Sequence, residues 1–192
     1  MASLDPSDED GYKRRLDAAV IGGAQPLTQP IEIRAYDPEW PKLYACEETR
    51  IRSVLGERVV RIEHVGSTSV PGLPAKSIID IALEVPDSAK EDLYVPDLEA
   101  AAYRLSIREP EWYEHRLFKG PDTDVNVHVF STGCEEVETM LRFRDHLREN
   151  ASDRELYAKA KRELAARDWK YLQQYADAKS EVVRGILARA GR

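Results

Sequence analysis

An α+β fold is what this sequence predicts, on three observations. Residues 31–36 and 125–130 alternate apolar and polar side chains with a period of two. The stretch 77–85 is mostly apolar, as a strand buried on both faces is. Beyond residue 135 the apolar residues recur at helical spacing. Strands mixed with helices at the front and helices alone at the back give an α+β order.

The elements follow from local chemistry. The alternation over 31–36 reads as a half-buried strand. Asp37 can cap a helix with Pro38 in its first turn, Leu43, Ile51, Val54 and Leu55 on its apolar face, and Gly56 at its end. Residues 58–64 form a strand that turns at Gly66-Ser67. Residues 77–85 form a second and central strand, and a short helix covers 91–104. Two more strands, 107–109 and 115–119, join around Trp112. Gly120-Pro-Asp-Thr-Asp124 is a turn, and 125–130 is the clearest alternation, with Asn126, His128 and Phe130 on one face and the valines on the other. Helices follow over 135–148, 153–164 and 171–190.

Residues 1–29 read as a flexible acidic arm, because Gly22-Gly23, Pro26 and Pro30 isolate the one short helix-like patch, 12–21. Residues 30–192 form the folded domain, long enough to bury a proper core. The net charge of −7 provides no global basic field, which argues against nucleic acid as a partner. Cys46 and Cys134 lie in no metal or redox spacing. No apolar run reaches the length of a membrane span and the N-terminus lacks the build of a signal peptide, so the expectation is a cytoplasmic protein with no membrane partner.

The chemistry concentrates between His64 and Ile81. Gly66, Ser67 and Thr68 form a turn after a strand, and backbone N–H groups in such a turn can face a phosphate. Lys76 supplies a cation, and Asp80 on the next strand supplies a hard oxygen ligand for Mg²⁺. Phosphoryl or nucleotidyl transfer needs this mixture of held phosphate, neutralised charge and in-line attack. The competing reading is a plain strand–turn–strand connection with Gly66 and Gly72 serving geometry alone. His128 can bind metal, substrate or a proton, or be an ordinary hydrogen-bonded histidine, and the same holds for His64. Trp112, His115, Arg116 and Lys119 could stack a base and hold a phosphate, or form an amphipathic hairpin. Arg144 could meet a phosphate or an acidic strand residue, or sit on a solvated face. Tyr157/Lys161 and Tyr175/Lys179 are i, i+4 pairs that could close a pocket from the helical side or serve helix packing.

Several segments resemble the GrpB family of small bacterial proteins. They are Tyr36-Asp-Pro-Glu-Trp-Pro41, Ile62-Glu-His-Val-Gly-Ser-Thr-Ser-Val-Pro-Gly-Leu-Pro-Ala-Lys-Ser-Ile-Ile-Asp-Ile81, Asn126-Val-His-Val-Phe130, Phe143-Arg-Asp-His-Leu147, and Tyr157 with Lys161. The resemblance runs from residue 31 into the C-terminal helix. It implies a nucleotidyltransferase-like core, a small mixed β-sheet with packed helices and a helical C-terminal part. It also implies that Gly66-Ser67 and Asp80 match the glycine-serine and acidic-strand signature of that superfamily. Related domains fused to dephospho-coenzyme A kinase hint at nucleotide or coenzyme A-like ligands. One departure matters: the second carboxylate expected on the Asp80 strand is replaced by Ala82. Glu84 or His128 would have to complete a metal site, with Glu63 in reserve, and one aspartate with a histidine suits Mg²⁺ less well.

Three functions stay open at this level. The first is nucleotidyl transfer from an NTP to a small acceptor. Gly66, Ser67, Thr68, Lys76, Arg116, Arg144 and Lys161 would bind phosphate or nucleotide. Asp80, His128 and Lys76 would be catalytic, and Asp80, Glu84 and His128 would hold Mg²⁺ or Mn²⁺. The second is a catalytically degenerate module that binds a nucleotide or anionic metabolite. The third is acyl or phosphoryl transfer with His128 or His64 as base. The acceptor, the base preference and the oligomeric state are open.

Overall fold

The computed structural model describes residues 9–191. Five strands form one mixed sheet: β1 (Arg61–Val65), β2 (Ile79–Val85), β3 (Arg104–Glu109), β4 (His115–Lys119) and β5 (Val125–Ser131), in the order β1-β2-β5-β4-β3. Only β2 and β5 run parallel. A parallel pair needs a long crossover, and the excursion through a short helix and the β3–β4 hairpin provides it. The apolar strand β2 is interior, between β1 and β5, but the middle position that its sequence suggests belongs to β5.

Alternation assigns each side chain to a face. Ile62, Ile79, Ile81, Leu83, Phe118, Val125, Val127 and Val129 pack with α2 (Trp40–Leu55) and α3 (Val95–Ala100) in the main core. Each fully buried aliphatic side chain there contributes roughly 1.5–3 kcal/mol relative to exposure. On the opposite face, Val65, Ala82 and Phe130 pack against Val137 and Leu141 of α4 (Glu135–Glu149). A third cluster joins Val70 and Leu73, just past the Gly66 turn, to Leu147 and to Tyr157, Ala158 and Ile186. These last belong to α5 (Ala151–Ala165) and α7 (Ser180–Ala190); α6 (Leu172–Ala178) lies between. This cluster brings the C-terminal helices beside the turn.

Three local expectations change. Residues 31–34 keep their alternation, but the segment forms a single bridge, Arg34 with Ala75, rather than a strand. The helix expected over 91–104 shortens to Val95–Ala100, and β3 takes the residues from Arg104. The helix expected over 171–190 breaks at Lys179 into α6 and α7. In the segment read as an arm, α1 (Glu9–Ala19) is followed by a bridge from Val20 to Ile107 at the edge of β3. Tyr12 donates to Asp177 (2.7 Å), and Ile21 N donates to Ser106 O (2.9 Å). An edge strand covered in this way is closed to pairing with another chain. Residues 1–8 of that arm lie outside the described residues.

Candidate functional site

The turn after β1 lies directly over Asp80. Val65 pairs with Asp80 in the antiparallel register, and Gly66 follows with φ +69°, a conformation that favours glycine. A Cβ on Gly66 would stand 2.5 Å from Asp80 Oδ2. Ser69 Oγ closes the turn by donating to Gly66 O (2.6 Å). Ser67 faces the buried phenol of Tyr157, on which Asp80 also acts electrostatically. The Gly-Ser turn and the aspartate thus converge.

The parallel register sets Asp80 beside Asn126 and Ala82 beside His128. Asn126 Nδ2 donates to Asp80 Oδ1 (2.7 Å), and Lys119 Nζ donates to Asn126 Oδ1 (2.5 Å), which fixes the amide orientation. His128 Nε2 lies 3.7 Å from Asp80 Oδ1, with the two side chains 20% and 28% exposed. Burial pushes the Asp80 pKa up, but His128, Asn126 and the Lys76 charge outweigh it and hold the carboxyl below its ordinary value.

Lysines complete the site. Lys76 Nζ and Lys179 Nζ lie 5.6 and 4.9 Å from the centroid of the Tyr175 ring. Both ammonium groups feel Asp80, and Lys76 also feels Lys179 and Lys119. Burial, then the Lys179 charge, lowers the Lys76 pKa to about 8; burial also lowers that of Lys179. Neither is held by a hydrogen bond or ion pair among the described residues. Asp124 also acts on Lys76 and Asp177 on Lys179, each less strongly than Asp80, so carboxylates nearby oppose the charge of these two half-buried ammonium groups without forming an ion pair with them.

The other candidates go elsewhere. Glu84 shares the Asp80 face, but its carboxylate accepts from Gly133 N (2.8 Å) and Cys134 N (3.3 Å) at the start of α4. Arg116 projects to the opposite face, where it pairs with Glu91 (2.6 Å) and Glu114 (3.2 Å). Arg144 meets the acidic strand residue Glu63 (2.8 Å) and donates to His64 O (3.0 Å). Thr68 is buried and donates to Ile78 O (3.1 Å) beside His64 Nε2 (3.0 Å). His64 stacks on Tyr44, and burial lowers its pKa to about 4, so it is a neutral prop under the turn. Lys161 donates to Pro74 O and lies over Tyr157. Lys119 and Lys179, which sequence reasoning leaves outside the phosphate-binding set, join the site: period-two alternation separates Lys119 from Arg116, and the Tyr175/Lys179 spacing is the signal for the second.

A metal centre fits this donor set poorly. Ala82 holds the second carboxylate position on the Asp80 strand, and the Asn126 oxygen is turned to Lys119. Among the described residues no three His, Cys, Asp or Glu side chains gather as a metal site would require.

The family model described as GrpB protein matches residues 30–189. The chain belongs to the GrpB family. A UPF0157 protein of Halalkalibacterium halodurans is 58% identical over 175 residues, 91% of this chain and 90% of that one. A dephospho-CoA kinase of Mycolicibacterium paratuberculosis is 30% identical over 84% of this chain and 46% of the kinase. The crystal structure of GrpB from Enterococcus faecalis superposes with a TM-score of 0.72 at 29% identity, covering 83% of this chain and 96% of that chain. The GLD-2/RNP-8 complex matches at a TM-score of 0.50 and 13% identity, over 80% of this chain and 60% of that one, which shows the fold alone. This GrpB protein has the α+β fold of the Enterococcus faecalis GrpB structure. No helix among its described residues is long and apolar enough to cross a membrane.

Proposed function

We propose that this GrpB protein binds a phosphate-bearing small molecule, a nucleotide or a related anionic metabolite, in the cleft between the Gly66 turn, β2, β5 and the α6–α7 junction. Lysine cations take the charge-neutralising part that divalent ions play in two-metal transferases. The observation that carries this reading is the pair of half-buried ammonium groups of Lys76 and Lys179 beside Asp80, neither of them in an ion pair among the described residues. Anions are the ligands that such charge accepts. The relationship to a dephospho-CoA kinase agrees with a nucleotide-bearing ligand.

The test is calorimetry with ATP, dephospho-coenzyme A and inorganic phosphate, with EDTA and with Mg²⁺. Binding that persists in EDTA and weakens at least tenfold in Lys179→Met is the expected result. Binding that requires Mg²⁺, or survives loss of both Lys76 and Lys179, overturns the reading.

A second reading, nucleotidyl transfer to a small acceptor with Mg²⁺ or Mn²⁺, is favoured by one observation: Asp80 stands in contact with the glycine turn and keeps an exposed edge. Metal-dependent release of pyrophosphate, lost in Asp80→Asn, would establish it in place of the first.

A further inference from the structure

A line of polar groups runs away from Asp80 across the sheet, and anion binding does not use it. Glu109 ends β3 and is the register partner of His115, which opens β4. Glu109 Oε2 lies 2.8 Å from His115 Nδ1, and His115 Nε2 lies 3.1 Å from His128 Nδ1 on β5. His128 Nε2 then faces Asp80 Oδ1 at 3.7 Å. Four titratable side chains on four strands stand in file, from a carboxylate 33% exposed to the cleft.

The packing holds this file in place. The imidazoles of His115 and His128 are tilted by only 21°, with centroids 5.3 Å apart. That spacing is close to the nitrogen–nitrogen distance plus two ring radii, as an in-plane hydrogen bond gives. Trp112 sits edge-on to His115 at 5.1 Å, and Phe130 covers it at 4.9 Å. The hairpin that pairs Glu109 with His115 is bent through Tyr113 and Glu114, two non-glycine residues at φ 55° and 50°. Such conformations persist only where the surroundings impose them.

Hydrogen-bond chemistry then sets the direction. An ionised Glu109 only accepts, so His115 Nδ1 carries a proton. His115 is 3% exposed, and burial lowers its pKa against the opposing pull of Glu109, so it stays neutral with a lone pair on Nε2. His128 must therefore donate from Nδ1. A neutral His128 protonated at Nδ1 has its lone pair on Nε2, the atom that faces Asp80. The titratable groups facing His128 are Asp80, His115 and, from α4, Glu136. In that form the two groups, 3.7 Å apart, make no hydrogen bond with each other; once Nε2 takes a proton it faces the carboxylate as a donor, the arrangement in which His128 lowers the Asp80 pKa.

We propose that Glu109 and His115 are positioning residues that hold His128 in the Nδ1–H tautomer, so that its Nε2 is the proton acceptor of the Asp80 cleft. The proton comes from a hydroxyl group or a water held there. Its O–H bond breaks as the Nε2–H bond forms, and the oxygen keeps the electron pair. The Nδ1 proton of His128 passes to His115 Nε2, and the His115 Nδ1 proton passes to Glu109. One proton leaves the cleft, and both imidazoles end neutral in the opposite tautomer. The inference rests on the anion-binding reading only for the ligand that would carry the hydroxyl group.

The experiment is long-range ¹H–¹⁵N correlation of the histidine rings in the free, ¹⁵N-labelled full chain at neutral pH. Wild type is expected to show His128 mainly as Nδ1–H with an unprotonated Nε2. His115→Phe, which keeps an aromatic ring between Trp112 and Phe130, is expected to move His128 to mainly Nε2–H. Glu109→Gln, which still offers an acceptor oxygen, is expected to retain Nδ1–H. A wild-type His128 found as Nε2–H or as imidazolium overturns the proposal, and that spectrum decides even if His115→Phe does not fold. An unchanged His128 tautomer in a folded His115→Phe also overturns it. No ligand is added, so a failure of anions to bind and a failure of the relay are separate results.

Discussion

Gly66 and Asp80 are in contact across the β1–β2 pair so closely that residue 66 has no room for a side chain. Its Cβ would fall 2.5 Å from Asp80 Oδ2, 3.0 Å from Asp80 Cβ and 3.1 Å from Cγ, at a backbone φ of +69°. Gly66→Ala is therefore expected to lose about 1–3 kcal/mol to backbone conformation, since ψ is −172°, and about 1–3 kcal/mol to overpacking. In an Asp80→Gly background the steric part disappears, and the same substitution should cost only the backbone part of about 1–3 kcal/mol. Urea denaturation of the four proteins in this cycle measures the coupling. Equal costs in both backgrounds would show that the turn and the aspartate are not in contact.

The Lys76 ammonium ties ligand binding to pH. Burial and the Lys179 charge lower its pKa to about 8 in the free protein, so it loses its charge above that value. Anion affinity is expected to be flat below pH 7.5 and to fall above pH 8, approaching tenfold per pH unit for one required proton. Lys76→Met should bind more weakly at pH 7 and show a flatter profile. Calorimetric titrations with ATP in EDTA between pH 6.5 and 9.5 check this; wild-type affinity that does not change across the range contradicts it.

Much of this site can be read from the sequence because it is local. Gly66, Lys76 and Asp80 belong to one strand–turn–strand unit, whose apolar run marks β2 as an interior strand. Alternation likewise sets Asn126 and His128 on one face. What could not be read depends on distant elements. Residues 112–119 look like one aromatic-basic cluster, but the pleat sends His115 and Lys119 toward the cleft and Arg116 away from it. Glu84 has the spacing of a metal ligand, yet α4 arrives from far along the chain and takes its carboxylate. The alternation of 31–36 matches that of a strand, yet the segment forms a single bridge. Lys179 reaches the cleft because α6 breaks just before α7, a break that helical periodicity over 171–190 conceals.

Glu84 caps α4 from a neighbouring strand. The residue at the helix N-terminus, Cys134, makes no side-chain cap, and Gly133 N and Cys134 N both donate to Glu84 instead. Glu84→Gln keeps one acceptor but removes the negative charge at the helix start, and should cost about 1 kcal/mol. Glu84→Leu leaves the part-buried amides of Gly133 and Cys134 without that partner and should cost about 1–2 kcal/mol. Anion affinity should stay within a factor of two in Glu84→Gln. Urea denaturation and calorimetry together separate this from a metal-ligand role, in which binding rather than stability would be lost.

Lys161 makes stability rise with pH, opposite to the usual effect of a lysine that gains a partner on folding. It is 2% exposed, and burial, followed by the charges of Lys179 and Arg162, lowers its pKa to about 7 from 10.5. Between those values the unfolded chain holds a proton that the folded chain has released. Since the unfolded state binds more protons there, unfolding becomes harder as pH increases. The gain approaches about 1.4 kcal/mol per pH unit for one proton, and Lys76 adds to it above pH 8. Buried tyrosines such as Tyr157, raised to about 12, reverse the trend only above pH 10, where the unfolded phenols ionise first. Urea midpoints are therefore expected to increase from pH 7 to pH 9.5 in the wild type. Lys161→Met should lose most of the slope between pH 7 and 8, because Lys161 is the group titrating there. A wild-type midpoint that is constant or falling over this range would mean that the Lys161 ammonium keeps its charge in the folded protein, stabilised by Pro74 O and the Tyr157 ring more strongly than burial opposes it.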